Sequence, residues 1–265
     1  MTEFSNYTCT NCGENAGRNY CSHCGQQKFS REQFKFKNFF KDMLTEFFDV
    51  DSSILITLRT LILNPGKLTT DYLEGKQKMY IGPVKLYITI IAINFLVYTF
   101  WDNYSLVDVK FLQSLTNVKW IGGLIASAQQ RVHLPEAEFY HSINNRVNDI
   151  FSLLLYLVIF VQAAVLKLQF GKRDKYYMEH LIFSLHFMSF GFLRDIVLLP
   201  LQIVDKNIAL AISIVTTITY LYFALRQVYE VKGFSLVVHT LVQYAIFFLF
   251  FSGAVVASVV LAAIT

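Results

Sequence analysis

The sequence predicts an all-α membrane protein: a five-helix transmembrane bundle, preceded by a small N-terminal zinc ribbon and by amphipathic helices at the membrane interface. Three observations predict it. The 265-residue chain is 54% hydrophobic and only 16% charged, with a mean hydropathy of +0.43, where a soluble domain carries about 25% charge. Five stretches are apolar over the ~20 residues that a crossing helix needs. All four cysteines lie within the first 24 residues. The 25 phenylalanines and 15 tyrosines, against 4 prolines and 12 glycines, suit packed apolar helices and exclude a disordered or collagen-like chain.

The first element is residues 1–28. Cys9, Cys12, Cys21 and Cys24 are spaced C-x2-C-x8-C-x2-C, and glycine follows each pair at Gly13 and Gly25. Two such turns bring four thiolates around one ion, and glycine permits the tight backbone each turn requires. Two disulfides are the competing pairing, but no secretory signal precedes these cysteines and none occurs later. The expectation is a structural zinc site. Four protein thiolates leave no open position for water or substrate, so the metal folds a segment too small for its own core. His23 reads as an exposed turn residue.

Residues 29–83 follow. Ser30 with Gln33 reads as a capping box and Phe29 with Phe34 as a hydrophobic staple. Phe36, Phe39, Phe40, Met43, Leu44, Phe47 and Phe48 then form an apolar stripe interrupted by Lys35, Lys37, Lys41, Asp42 and Glu46. That pattern suits a helix lying on anionic headgroups equally with one packed on the rest of the arm. Asp49, Asp51 and Ser52 cap a second stretch, Ile54–Leu63, which stops at Asn64-Pro65-Gly66. It is too short to span and is predicted to be interfacial or re-entrant.

The predicted membrane domain is residues 84–265, with spans at Val84–Trp101, Ile150–Leu166, Leu181–Leu201, Ile208–Leu225 and Leu236–Ile264. Ser252-Gly253 offers a kink in the last, but no polar loop divides it. Residues 102–149 form the one large loop. Within it Val118–Ala128 is apolar but short, and Pro135 starts a helix that runs into the second span. Five crossings place 17 lysines and arginines on the N-terminal side and five on the other. The basic side is cytoplasmic, so the cysteines face a reducing compartment and the C-terminus is extracytoplasmic.

Polar groups inside spans are costly and point to function. Glu179 and His186 are seven residues apart on one helix face, with His180 rotated away, and Arg194 and Asp195 lie deeper in the same span. Adjacent helix residues do not face each other, so Arg194 and Asp195 are each expected to find partners on other helices, with His239, Gln243 and Gln162 as candidates. The set reads either as interhelical glue or as a polar path or ion site. The six-residue spacing of His180 and His186 does not suit a shared metal.

On the zinc ribbon, Asn64-Pro65-Gly66, Tyr72-Leu73-Glu74-Gly75-Lys76, Tyr80, Pro83 and Glu179-His180-Leu181-Ile182-Phe183-Ser184-Leu185-His186-Phe187, the chain resembles an uncharacterised family of bacterial multi-pass membrane proteins with an N-terminal zinc ribbon, a domain of unknown function. The resemblance covers nearly the whole chain and implies a bacterial cytoplasmic membrane, but no activity. In that family the Gly-Lys is usually followed by Arg, where this chain has Gln77, and a second polar residue often sits near Ser189. Both departures count against a strict catalytic signature. The five-span plan and the turn at Pro65 are also similar, at the level of architecture, to Yip-type membrane-trafficking proteins.

No phosphate-binding glycine loop, Gly-x-Ser-x-Gly elbow or His-Glu-x-x-His occurs, which leans against an enzyme. The net charge of +4 comes from membrane-flanking lysines, so lipid headgroups rather than nucleic acid are the expected partners. The favoured function is an interaction, regulatory or scaffold protein whose ribbon docks a cytoplasmic protein. The alternatives are a small-solute or ion transporter using Glu179, His186, Arg194, Asp195 and His239, and a membrane-embedded enzyme joining Glu179 and His180 to Lys76 or Tyr80. Oligomeric state is not legible.

Overall fold

A computed structural model describes residues 6–17, 19–39, 53–100, 107, 109–171 and 175–264. They form two compact units, Met1–Val97 with Gln162–Tyr244 and Tyr98–Val161 with Ala245–Thr265.

In the first unit, two short strands, β1 (Tyr7–Thr8) and β2 (Asn15–Ala16), pair antiparallel with Tyr7 opposite Ala16. A 3₁₀ turn follows at Arg31–Phe34, where the Ser30 hydroxyl accepts the Glu32 amide at 3.3 Å. The predicted staple is present, with the Phe29 and Phe34 rings edge-on at 6.1 Å. The cap departs from the predicted box, because Ser30 takes the amide two residues on and closes one tight turn rather than an α-helix. A helix begins at residue 36 with Phe36 exposed and Phe39 buried. The rest of the stripe, from Phe40 to Phe48, and the caps Asp49, Asp51 and Ser52 lie outside the described residues.

The apolar stretch Ile54–Leu63 is helix α1, and it stops at Asn64-Pro65-Gly66 as predicted. The chain turns back into α2 (Lys67–Leu73) through Gly66 at φ +85°. A Cβ there would lie 2.9 Å from Ala224 Cα and 2.8 Å from Gln227 Cβ. Glycine is therefore needed both for the left-handed backbone and for a close approach to another helix. The α1–α2 hairpin packs on the pair α7 (Tyr177–Val204) and α8 (Lys206–Tyr229). Thr69 of α2 reaches His186, nine residues into α7, which is about 13 Å along the helix axis. The hairpin is thus inserted against the bundle rather than laid across its end.

Between them come α3 (Pro83–Thr99), started by a proline whose missing N–H costs nothing at that position, then α4 (Val109–Leu115), α5 (Lys119–Val132) and α6 (Glu136–Gln169). The chain ends in α9 (Gly233–Ile264), unbroken through Ser252-Gly253. Among the described residues, four helices, α6 to α9, are long and apolar enough to cross a membrane. The first predicted span falls on α3, which at 17 residues is shorter than those four. The other four predicted spans each lie inside one long helix. α7 is the most enclosed, with 61% of its apolar window buried against 22% for α9. It also carries Glu179, His180, His186, Arg194 and Asp195, five of the six predicted polar site residues.

In the second unit, α4, α5 and the start of α6 occupy much of the predicted 102–149 loop. Of the apolar stretch Val118–Ala128, Ile121, Ile125 and Ala128 are buried along one face of α5, while Val118 and Trp120 are exposed. The helix predicted after Pro135 begins at Glu136. Asn148 holds residue 107 from both sides, accepting the Val107 amide at 2.8 Å and donating to its carbonyl at 3.0 Å. Arg131 donates to the carbonyls of Ala263 and Ile264, satisfying the open end of α9.

Candidate metal centre and intramembrane polar groups

The two cysteine turns are copies of one another. The amides of Gly13 and Gly25 return to the carbonyls of Cys9 and Cys21 at 2.9 Å, and the amides of Cys9 and Cys21 go to the carbonyls of Glu14 and Gln26 at 2.8 Å. Both glycines are left-handed, at φ +80° and +72°. Cys9 Sγ lies 3.6 Å from Cys24 Sγ, and Cys12 Sγ 3.6 Å from Cys21 Sγ. All four sulfurs fall within 4.8 Å of one another, and all four cysteines are free thiols. A tetrahedral ion bonded to sulfur at about 2.3 Å would set the sulfurs about 3.8 Å apart, so the cluster fits a metal ion. The electrostatics agree. The Cys24 and His23 amides draw the Cys21 thiol down to about 7. The Glu14 amide also pulls Cys12 down, but desolvation and the three neighbouring sulfurs outweigh it and push that thiol up to about 12. Four sulfurs this close cannot all ionise on their own, and a dication removes the conflict. His23 is exposed, as predicted.

The cysteine module is docked on the loop after α2. Thr10 donates to the Gly75 carbonyl at 3.0 Å. Asn11 accepts the Met79 amide at 3.2 Å, and buried Gln26 accepts the Lys78 amide at 2.9 Å. Gly75 is left-handed at φ +91°, and a Cβ there would meet the Phe29 ring at 2.5 Å.

Behind this loop lies a cluster that sequence reasoning missed. Asp71, 4% exposed, receives Lys67 and Lys76, each at 2.8 Å, and the Tyr80 hydroxyl at 2.7 Å. Burial alone would raise the Asp71 carboxyl, but hydrogen bonds from Lys67, Lys76 and Tyr80 outweigh it and hold it below its ordinary value. Burial and the same carboxylate push the Tyr80 phenol up to about 12. Asp71 and Glu74 raise the Lys76 ammonium. The Lys67–Asp71 spacing, i to i+4 on a short polar helix, was the available signal.

The predicted polar residues of α7 do not converge. Glu179 pairs with Arg31 at 3.2 Å and also accepts the Tyr176 amide. His180 meets the Tyr229 hydroxyl through Nδ1 at 2.7 Å, with the two rings stacked. His186 meets Thr69 through Nδ1 at 2.9 Å. His239 lies against the Phe170 ring at 4.7 Å.

One expectation is corrected in part: both residues do meet another helix, Asp195 by accepting the Ser213 hydroxyl at 3.5 Å, but the adjacent pair is not kept apart. Arg194 and Asp195, adjacent on one helix, do pair: Arg194 Nε and Nη2 donate to Asp195 Oδ1 at 3.0 and 2.7 Å. The guanidinium is long enough to fold back onto its neighbour, which the helical-spacing rule ignores. Arg194 also donates to the Ser213 carbonyl at 3.2 Å and to the Thr217 hydroxyl, both on α8. Its interhelical partners are thus on α8 rather than His239, Gln243 or Gln162. Among the described residues, His180 Nε2, His186 Nε2, Ser189 Oγ, both side-chain polar atoms of Gln162 and Gln243 Oε1 are buried without a hydrogen-bond partner.

Residues 51–95 match the model of a family described as a protein of unknown function (DUF3667). The match takes in α1, the Gly66 turn, the Asp71 cluster, the docking loop and most of α3, and it is consistent with the uncharacterised family that the motifs resemble. No curated protein and no solved structure matches the chain.

Proposed function

We propose that the chain is a five-crossing protein of a bacterial cytoplasmic membrane that holds one structural zinc ion on Cys9, Cys12, Cys21 and Cys24 and acts as an interaction or regulatory protein. The single observation that carries this is the closed four-thiol cluster, which leaves a metal no open position for substrate. Thr10 and Asn11 of the first cysteine turn are engaged by the chain's own loop, while Ser22 and His23 of the second turn are exposed. The second turn is the surface offered to a cytoplasmic protein. α3 is the fifth crossing: its 17 residues reach about 25 Å, at the short end of what spans. This gives a five-span plan like that of Yip-type proteins, with the N-terminus inside and the C-terminus outside.

The enzyme reading draws no support, because Lys76 and Tyr80 are committed to Asp71, Glu179 to Arg31 and His180 to Tyr229. A transporter is favoured by one observation, the unpartnered buried atoms of His180, His186, Gln162 and Gln243, since such groups mark polar paths as well as packing.

Two experiments test these readings. A photo-crosslinker at position 23, in native membranes, should give a defined protein adduct that the same crosslinker at position 11 does not. No adduct from position 22 or 23 would overturn the docking role. Solute flux in proteoliposomes that is lost in a folded Arg194→Ala variant would establish the transporter instead.

A further inference from the structure

The cysteine module has almost no core of its own. Its buried cluster is Cys9, Ala16 and Cys21, with Tyr7, Cys12 and Cys24 packed around it, and its strands are two residues long. A segment of this size folds on its metal. Yet this module supplies the side chains that fix the 75–79 loop. Asn11, which holds the Met79 amide, lies between Cys9 and Cys12. Gln26, which holds the Lys78 amide and contacts Gln77 Oε1 at 3.5 Å, directly follows the second turn, and its own carbonyl takes the Cys21 amide. Thr10, which holds the Gly75 carbonyl, is also inside the first turn. All three groups are placed by the backbone that wraps the sulfurs.

The same loop is tied on its far side to the inserted hairpin. Lys76 and Tyr80 close onto Asp71, and the Ile81 amide donates to the buried Thr57 hydroxyl at 3.0 Å. The hairpin in turn contacts α7 and α8 through Thr69–His186 and Gly66–Ala224. A continuous series of hydrogen bonds and close contacts thus runs from the sulfur cluster to the interior of the bundle.

We infer that the four-thiolate centre is a metal-dependent latch: with a dication bound it clamps the 75–79 loop onto the hairpin, and when the ion leaves, the loop is released while the bundle stays folded. The inference rests on the metal reading given above. It assigns the centre a conformational role within this chain, in addition to any partner it meets. Loss of the ion frees Asn11, Gln26 and Thr10 together, because none is held by secondary structure of its own. The loop then keeps only its hairpin-side bonds, from Lys76 and Tyr80 to Asp71 and from the Ile81 amide to Thr57.

The test is hydrogen–deuterium exchange on the full chain in lipid nanodiscs, with metal content measured on the same samples. Removing zinc with a chelator should speed exchange of the Lys78 and Met79 amides on the order of tenfold or more, and adding zinc should reverse it. Amides within α8 should be unchanged. Gln26→Ala should release the Lys78 amide while the protein retains its metal, which separates docking from metal binding. If the metal leaves and the Lys78 and Met79 amides stay protected, the latch is wrong although the site is real. If the purified chain holds no metal, the metal reading and the latch fall together. If α8 opens along with the loop, the centre supports the whole fold and the latch is overturned.

Discussion

A methyl group placed on Gly66 perturbs the seat of the hairpin and almost nothing else. At φ +85° an alanine pays roughly 1–2 kcal/mol for the left-handed backbone. Its Cβ would also lie 2.9 Å from both the Cα and the carbonyl oxygen of Ala224, and 2.8 Å from Gln227 Cβ. Two of these neighbours are backbone atoms of α8, so the strain cannot be relieved by swinging a side chain away. Overpacking of this kind costs about 1–3 kcal/mol. Gly66→Ala should therefore destabilise the protein by about 2–5 kcal/mol, measured by reversible unfolding in mild detergent. Gly123→Ala is the control, since that glycine is helical with nothing within 4 Å of its would-be Cβ. It should be neutral or stabilising by up to about 1 kcal/mol. A Gly66→Ala protein as stable as its parent would refute the insertion of the hairpin against α8.

A double-mutant cycle between Arg194 and Asp195 should show coupling on the order of 1 kcal/mol or more, while the cycle between Arg194 and His239 should be additive. Asp71 has its carboxyl held below the ordinary range in the folded protein, so its stabilising contribution is present above the unfolded carboxylate value and is lost as pH falls through the folded one. Asp71→Asn should accordingly be destabilising at neutral pH, with the gap to wild type closing only in strong acid, as pH-dependent unfolding would record. A reporter fused after Thr265 should read extracytoplasmic. A cytoplasmic reading would mean that α3 does not cross and the number of spans is even.

The long helices were legible because a span is written in composition: α7, α8 and α9 begin within a few residues of the predicted apolar stretches. α6 begins 14 residues before its predicted span, at Glu136 against Ile150. Its first turns carry Arg146, Asn145 and Asp149, and hydropathy finds where a helix becomes apolar, not where it starts. The sulfur cluster was legible because ligand spacing is local. Its docking was not, because Asn11 and Gln26 meet partners 68 and 52 residues away. Asp71 escaped notice because its partners Lys76 and Tyr80 lie beyond the helix end, and only the loop's return brings them back. The Arg194–Asp195 pair was misjudged because side-chain reach, rather than backbone spacing, decides it.

The central claim is that the four cysteines hold a structural metal that folds the N-terminal module against the membrane domain. It is tested most directly by elemental analysis of the full-length protein, purified in reductant without added metal. The account predicts one zinc ion per chain, lost when Cys12 or Cys21 is replaced by serine. A metal-free protein with its four thiols intact, or with those thiols joined as disulfides, would contradict it.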